Sequence, residues 1–501
     1  MNHLLILPIV LPLLVGSFLV LGHRLKINAK RYLSVFSCIL LLFFAVALLH
    51  LAGDGQIRLY VLGGWQPPFG IVLMLDRLAA VMLLANAVLA LLVLLYAIRG
   101  VDESGPNFHA LFQFQLLGIN GAFLTGDLFN LFVFFEILLI ASYALLVWDN
   151  SRAQLKAGMH YVLLNLVGSA IFLIGISLLY GVTGTLNMAD LAGRVASAEE
   201  SVTPLLAAAG FLLLIVFGLK AAMLPLHFWL PATYAAAVGP VAALFAIMTK
   251  VGLYAILRVF SLIFGDSAGP IANFAQAWLW GLAGLTIIMG SLGLLAARSL
   301  QHVLSYLVIV SVGTLLAGFS LGTVHSLSGM LYYLLHSTWV MGGLFLLVDL
   351  VARQRGSAAG ALITTSAVRQ PLLLGSLFFM AAIAVVGLPP FSGFLGKLML
   401  LQAAEGYQRF MLWPILLIGG FVALVVLSRA GSLVFWRSKD PVELVLVPKA
   451  DKVQFIACLT LLLTSVLLVV LANPLLHYLQ ATAEQLLDVA PYLDLIKRGD
   501  A

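Results

Sequence analysis

Glu136, Lys220, Lys250, His336 and Lys397 each fall near the middle of a long apolar run of this chain. At the centre of a membrane helix a charge costs roughly 2.5–3.5 kcal/mol on insertion scales, so such residues read first as an ion or proton pathway. Glu136 is the only carboxylate in the middle of any run, and Lys220 needs a partner. Pairing the two offsets their desolvation, and separating them leaves a charge poorly compensated. A pair that opens and closes is a switch; the plain alternative is a static ion pair. Lysine suits a switch because, unlike arginine, it exchanges its proton readily once buried.

Lys250, in LFAIMTKVGLYAILRV, has no carboxylate nearby in sequence. Either end of its run is about 14 residues away, roughly 20 Å at helical rise, too far for the ammonium to snorkel. It reads as a proton relay, with Thr249 beside it able to bond water or a cation. His336 is the only histidine near the centre of a run, and its ordinary titration range suits a relay between Lys250 and Lys397; the alternative is a simple interhelical hydrogen bond. His227 follows Pro225 in the run that carries Lys220 and could pass a proton toward the cytoplasmic side. Tyr306, with Ser305 and Ser311, gives its run a mildly polar face suited to water. Asp127 reads as a helix cap, Asp349 as a partner of Arg353, and Arg258 as a salt-bridge or topological residue.

These residues need helices to hold them. The chain is 63% hydrophobic and 9% charged, with a mean hydropathy of +1.12, far from the roughly 25% charged residues of a soluble domain. Runs of about 20 residues or more indicate helices rather than barrel strands. Fourteen spans are expected, at 4–22, 32–51, 72–98, 108–125, 127–148, 159–181, 204–231, 235–264, 274–296, 301–321, 325–350, 371–402, 411–436 and 454–479. The opening segment lacks a charged start and a small-residue cleavage site, and reads as a retained first helix.

The net charge of +6 is not a nucleic-acid signal, because no Lys/Arg-rich soluble segment carries it. The basic residues serve topology. Arg24, Lys26, Lys30, Arg31, Arg99, Arg152, Lys156, Arg298, Arg353, Arg437 and Lys439 are among those in one set of alternate loops; Arg58, Arg77, Arg194, Arg409, Lys497 and Arg498 lie on the other side. The positive-inside rule then puts both termini outside the cytoplasm. Cys38 and Cys458 stand alone within apolar runs, and no metal, haem, dinucleotide or Walker motif is present, so no cofactor is expected.

Two runs carry breaks. FGLKAAMLPLHFWLP has Pro225 and Pro231 after Lys220, and VVGLPPFSGFLGK has Pro389 and Pro390 before Lys397. Proline removes a donor and clashes with the preceding turn, so both should unwind locally. Unwound backbone at membrane depth survives only inside protein or beside a wet cavity, and interrupted segments point to an ion path. QIRLYVLGGWQPPFGIVLMLD reads as an extracellular hairpin, and 183–203 as a surface loop with a short helix.

These residues together resemble a known family. VFGLKAAMLPLHFWLPATYAAAVGPVAALFAIMTKVGLYAILRVF, DLFNLFVFFEILLIASYALL and GLPPFSGFLGKLMLLQAA resemble the central motif, glutamate-bearing fifth helix and broken twelfth helix of the antiporter-like subunits shared by complex I and Mrp-type cation/proton antiporters. The LGGWQPPFGIVLMLD hairpin and WDNSRAQLKAGMHYVLLNLVGSAIFLIGISLLYGVTGTLNMADLA resemble the D-type branch of the Mrp antiporters.

The resemblance implies an all-α polytopic membrane protein of about 14 transmembrane helices, with two inverted five-helix repeats whose helices 7 and 12 are broken. Its divisions would be 1–107 with the hairpin, 108–264, 265–436 and 437–501. It implies a Glu136–Lys220 charge pair, a hydrated axis through Lys250 and His336, and Lys397 at the end of the second half-channel. It also implies a bacterial cell membrane and, as partners, the A-type subunit and the small membrane subunits of the antiporter complex, H+, and Na+ or K+. The chain departs from relatives at Ala232-Thr233, where Asp often follows the WLP proline, and at Gln301-His302, where a basic pair is usual. Two functions remain open: antiport of Na+ or K+ against H+, or proton pumping within a complex I-type oxidoreductase or energy-converting hydrogenase.

Overall fold

The computed structural model describes residues 3–105, 107–364, 368–437 and 449–497, with 496 and 497 described by backbone alone. Lys439 and Arg498, used above for orientation, lie outside the described residues. The N-terminal part contains α1 (Leu7–Leu21), α2 (Ile27–Ala52), the antiparallel hairpin β1 (Arg58–Val61) and β2 (Val72–Leu75), and α3 (Arg77–Ala97). Next come α4 (Phe108–Leu124), α5 (Leu128–Leu146), α6 (Arg152–Thr183), the short surface helix α7 (Met188–Ala196), α8 (Thr203–Ala221), α9 (Trp229–Ala236), α10 (Gly239–Phe245) and α11 (Met248–Leu262). They are followed by α12 (Gln276–Ala296), α13 (Leu300–Ser320), α14 (Val324–Gln354), α15 (Pro371–Val386), α16 (Ser392–Ala403) and α17 (Gly406–Gly431). The last helices are α18 (Lys452–Val470), α19 (Ala472–Leu487) and α20 (Ala490–Lys497).

Eleven described stretches are long and apolar enough to cross a membrane, with α10 and α11 counted together. The shorter apolar helices α1 and α15 add two candidates, and α4 occupies the remaining expected run, 108–125. Three spans differ in detail. The run 72–98 begins as strand β2, because Val72–Leu75 pairs with β1 before Asp76 caps α3. The run 235–264 divides at Ala246–Ile247, where the amides bond three residues back in place of four, a local tightening that interrupts an α-helix. The run 454–479 bends between α18 and α19 at Leu471.

The two halves use the same packing. α4 lies on α5 as α12 lies on α13; α6 meets α8 and α9 as α14 meets α15 and α16; α8 contacts α11 as α15 contacts α17. Five crossings per half make the second run opposite to the first through the bilayer. The interior is α10–α11, wholly buried, with α13 and α14, whereas only a third of α2 and α17 is buried.

Both breaks start with the same device. After α8, Ala222 turns left-handed (φ 61°) and Met223 N–H bonds the Gly218 carbonyl at 2.8 Å. After α15, Gly387 (φ 88°) and Leu388 do the same to Ile383. A left-handed cap suits glycine; alanine there costs roughly 1–2 kcal/mol and must be held by its surroundings. The Thr286 hydroxyl of α12 helps by accepting from Leu224 N–H at 3.0 Å.

Candidate functional site

The cap places Lys220 on the last turn of α8, where it is 5% exposed. Its ammonium donates to Asn165 Oδ1 on α6 at 3.0 Å and lies 5.9 Å from the Phe135 ring centroid. Asn165 is oriented by its own amide, which donates to the Tyr161 carbonyl at 2.8 Å. One turn further along α6, the Ser169 hydroxyl donates to Glu136 on α5. No direct ion pair joins Glu136 to Lys220 among the described residues; Asn165 and Ser169 connect them instead. Glu136 is partly buried, on the stripe of α5 that also carries the exposed Phe129, Val133 and Ile140.

α8 meets α11 closely. A Cβ at Gly252 would lie 2.5 Å from the Ala221 nitrogen and 2.8 Å from the Lys220 carbonyl carbon, so only glycine lets the two backbones touch. Two residues earlier, Lys250 is fully buried, with Nζ 3.5 Å from both the Thr249 and Ser311 hydroxyls. Those contacts are at the outer limit of a hydrogen bond. The interruption before α11 is satisfied by the Tyr234 hydroxyl, which donates to the Phe245 carbonyl at 2.6 Å.

Hydroxyls continue from Lys250. Thr314, one turn beyond Ser311 on α13, lies beside Tyr333 of α14. The Tyr333 ring lies 5.7 Å from that of His336. His336 Nδ1 is 2.7 Å from the Ser392 hydroxyl, which is 3.1 Å from Ser465. Five residues along α16, Lys397 Nζ donates to the Val385 and Val386 carbonyls at 3.1 and 2.7 Å. The free carbonyls at the end of α15 carry partial negative charge, which suits a cation. A lateral cavity of 280 Å³ beside Lys397 is lined by Val386, Gly387, Leu388, Leu401, Phe421 and their neighbours.

The structure thus brings Lys250, Thr249, His336 and Lys397 into one interior row. Glu136 and Lys220 lie at its other end, joined through α6. His227 sits in the break with Nδ1 buried and unpartnered. The Tyr306 ring covers Gly293 of α12, where a Cβ would come within 2.1 Å. A second cavity, of 430 Å³, is lined by Lys156, His160, Trp229, Ala232 and His302. Trp229, one of its lining residues, stacks on Tyr161 and donates to the carbonyl of Leu219, the residue before Lys220.

Asp127 caps α5 through Asn130 N–H, Asp349 pairs with Arg353, and Arg258 forms a buried bidentate bridge to Asp76. Sequence reading passes over Asn165, Ser169, Thr314, Tyr333, Ser392 and Ser465. Asn165 and Ser169 do leave a signal: two polar residues four apart in an otherwise apolar run share one helix face.

Such a row of buried amines and hydroxyls inside two inverted repeats defines an antiporter-like ion-translocating protein. Residues 125–428 match the family described as NADH:quinone oxidoreductase/Mrp antiporter, TM, and the chain belongs to it. It is 40% identical to the D subunit of a probable K(+)/H(+) antiporter of Rhizobium meliloti (strain 1021), over 97% of this chain and 96% of the relative. It is 38% identical to the D subunit of a Na(+)/H(+) antiporter of Bacillus subtilis (strain 168), over 99% of both. Its fold is similar to a chain of the Mrp complex from Dietzia sp. DQ12-45-1b, with TM-score 0.88 and 26% identity, covering 99% of this chain and 100% of that one.

Proposed function

We propose that this chain is the D-type, proton-translocating component of a multisubunit antiporter that exchanges cytoplasmic Na+ or K+ for external H+. The observation that carries the reading is the placement of Lys220, Lys250, His336 and Lys397 within two broken-helix repeats, their polar partners being the Asn165 amide, the Ser311 and Ser392 hydroxyls and the Val386 carbonyl. Amines are proton carriers, and carbonyls of broken helices can hold a cation. The antiporter relatives favour antiport over quinone-linked pumping.

In this reading Glu136 and Lys220 form the switch, with Asn165 and Ser169 as its hinge. Protonation of Glu136 frees Ser169, and Lys220 shifts its charge along the row toward Lys250. Lys250 and His336 hand the proton to Lys397, while Thr249 supports water beside Lys250 and His227 serves the side of the break. Neighbouring membrane subunits cover the stripe around Glu136, because a carboxylate facing lipid is costly. Both termini face outward from the bacterial cell membrane.

The test is cation-driven pH change in inverted vesicles carrying the complete complex. Glu136→Gln should abolish exchange with normal assembly. Near-normal exchange by that variant contradicts the switch.

A further inference from the structure

Away from the charged row, α1 to α4 bury polar groups that have no partner among the described residues. His109, Gln113 and Asn120 lie along one face of α4, since intervals of four and seven return to the same side of a helix. The Ser37 hydroxyl of α2 donates to Gln113 Oε1 at 3.0 Å, and the Asn86 amide of α3 donates to Asn120 Oδ1 at 2.8 Å. Yet Ser34 Oγ, Asn86 Oδ1, His109 Nδ1 and Gln113 Nε2 are buried without a partner. Each such group costs about 1–3 kcal/mol if left dry, so several in one bundle signal bound water. A cavity of 10 Å³ lined by Pro8, Leu41, Asn86, Leu116 and Asn120 is about the size that admits one water. Gln115, also unpartnered, lies on another face of α4.

Both ends of this face lead somewhere. At one end His109 Nε2 is 3.1 Å from Asp102, which Arg31 holds at 2.6 Å. Arg31 also binds the exposed Glu103 at 2.5 Å. At the other end Asn86 follows Ala85, whose carbonyl accepts from Trp339 Nε1 at 3.0 Å. Trp339 is three residues from His336 on α14.

We propose that α1–α4 hold a file of bound water along α4, from the Arg31–Glu103 surface to Asn86, forming a second proton-conducting arm that reaches the central row at α14. His109 to Asn120 spans roughly 16 Å at helical rise, about half the hydrocarbon thickness. Arg31, Asp102, Glu103 and His109 are the titratable groups at its mouth. Beyond them the file is lined by amides and hydroxyls, with Leu41 and Leu116 at its narrow part. The water file stands independently of the antiport reading; its conducting role rests on that reading.

Cys38 provides the probe. It adjoins Gln113 and is 1% exposed, so it is shielded from lipid. Cys458, equally buried and with its thiol donating to the Gly343 carbonyl, serves as the reference. The assembled complex would be pulsed with silver ion, which enters water files but not lipid and replaces the thiol proton. After quenching and unfolding, alkylation and mass spectrometry would count the thiols left free. Cys38 should be at least fivefold more protected from alkylation than Cys458. Equal protection, or none at Cys38, overturns the water file whether or not the central row conducts. Gln113→Leu should then lower both Cys38 silver uptake and exchange at least fivefold, with Gln113→Ser restoring both. Unchanged exchange in an assembled Gln113→Leu complex overturns the conducting role.

Discussion

The Lys220 ammonium donates to Asn165 Oδ1 at 3.0 Å, and the helix turn that carries Asn165 also carries Ser169, the donor to Glu136. Acid and amine therefore bond adjacent turns of the same helix. Moving that turn changes the surroundings of both.

Asn165→Leu removes the one acceptor that Lys220 has among the described residues. A buried charged group without its partner costs more than a neutral one, whose loss is about 1–3 kcal/mol. Exchange should fall at least tenfold with assembly retained, measured in inverted vesicles, while Asn165→Gln keeps part of it. Full activity in Asn165→Leu would show that the α6 link is not used.

Gly393 sets the approach of α16 to the row. A Cβ there would lie 2.0 Å from the Ala384 carbonyl oxygen and 2.8 Å from His336 Nε2. Gly393→Ala should push α16 away from both and cut exchange at least tenfold, about 1.4 kcal/mol in the barrier. Native gels would report assembly, which a shift of one short helix should leave intact.

Asp102 lies outside the spans and offers a pH test of the N-terminal bundle. Burial would raise its carboxyl, but hydrogen bonds from Arg31 and His109 outweigh this and hold it at about 2. A carboxyl lowered by folding contributes stability above its ordinary value of 3.8 and loses it as pH falls toward 2. The parent complex should thus draw constant stability from this group between pH 5 and 8. Arg31→Gln removes the main opponent of burial, so its melting temperature should drop at pH 7 and the deficit should shrink as pH is lowered. A deficit that grows on acidification contradicts this account.

The helices and their charges were legible because apolar length and a lone mid-membrane lysine are local signals. Lys250 stands out within its own sixteen-residue stretch, and the prolines announce both breaks. The partners were less legible because they come from distant helices. Nothing near Lys220 names Asn165, 55 residues earlier, and nothing near His336 names Ser392. The division of α10 from α11 escaped for a different reason: Ala246 and Ile247 are good apolar residues, and Tyr234 on α9 satisfies the freed carbonyl. The contact of the Tyr306 ring with Gly293 likewise joins two helices, and neither run announces it.

The central claim is that Lys250, His336 and Lys397 act in series. Lys250→Ala, His336→Ala and Lys397→Ala, alone and in pairs, would be compared for cation-driven proton exchange at equal levels of assembled complex. Each single variant should lose nearly all exchange, the lysines more completely than the histidine, which water can replace. Double variants should be little worse than singles, because a cut path cannot be cut again. Substantial exchange by Lys250→Ala, or losses that multiply in the doubles, would contradict a single path through the row.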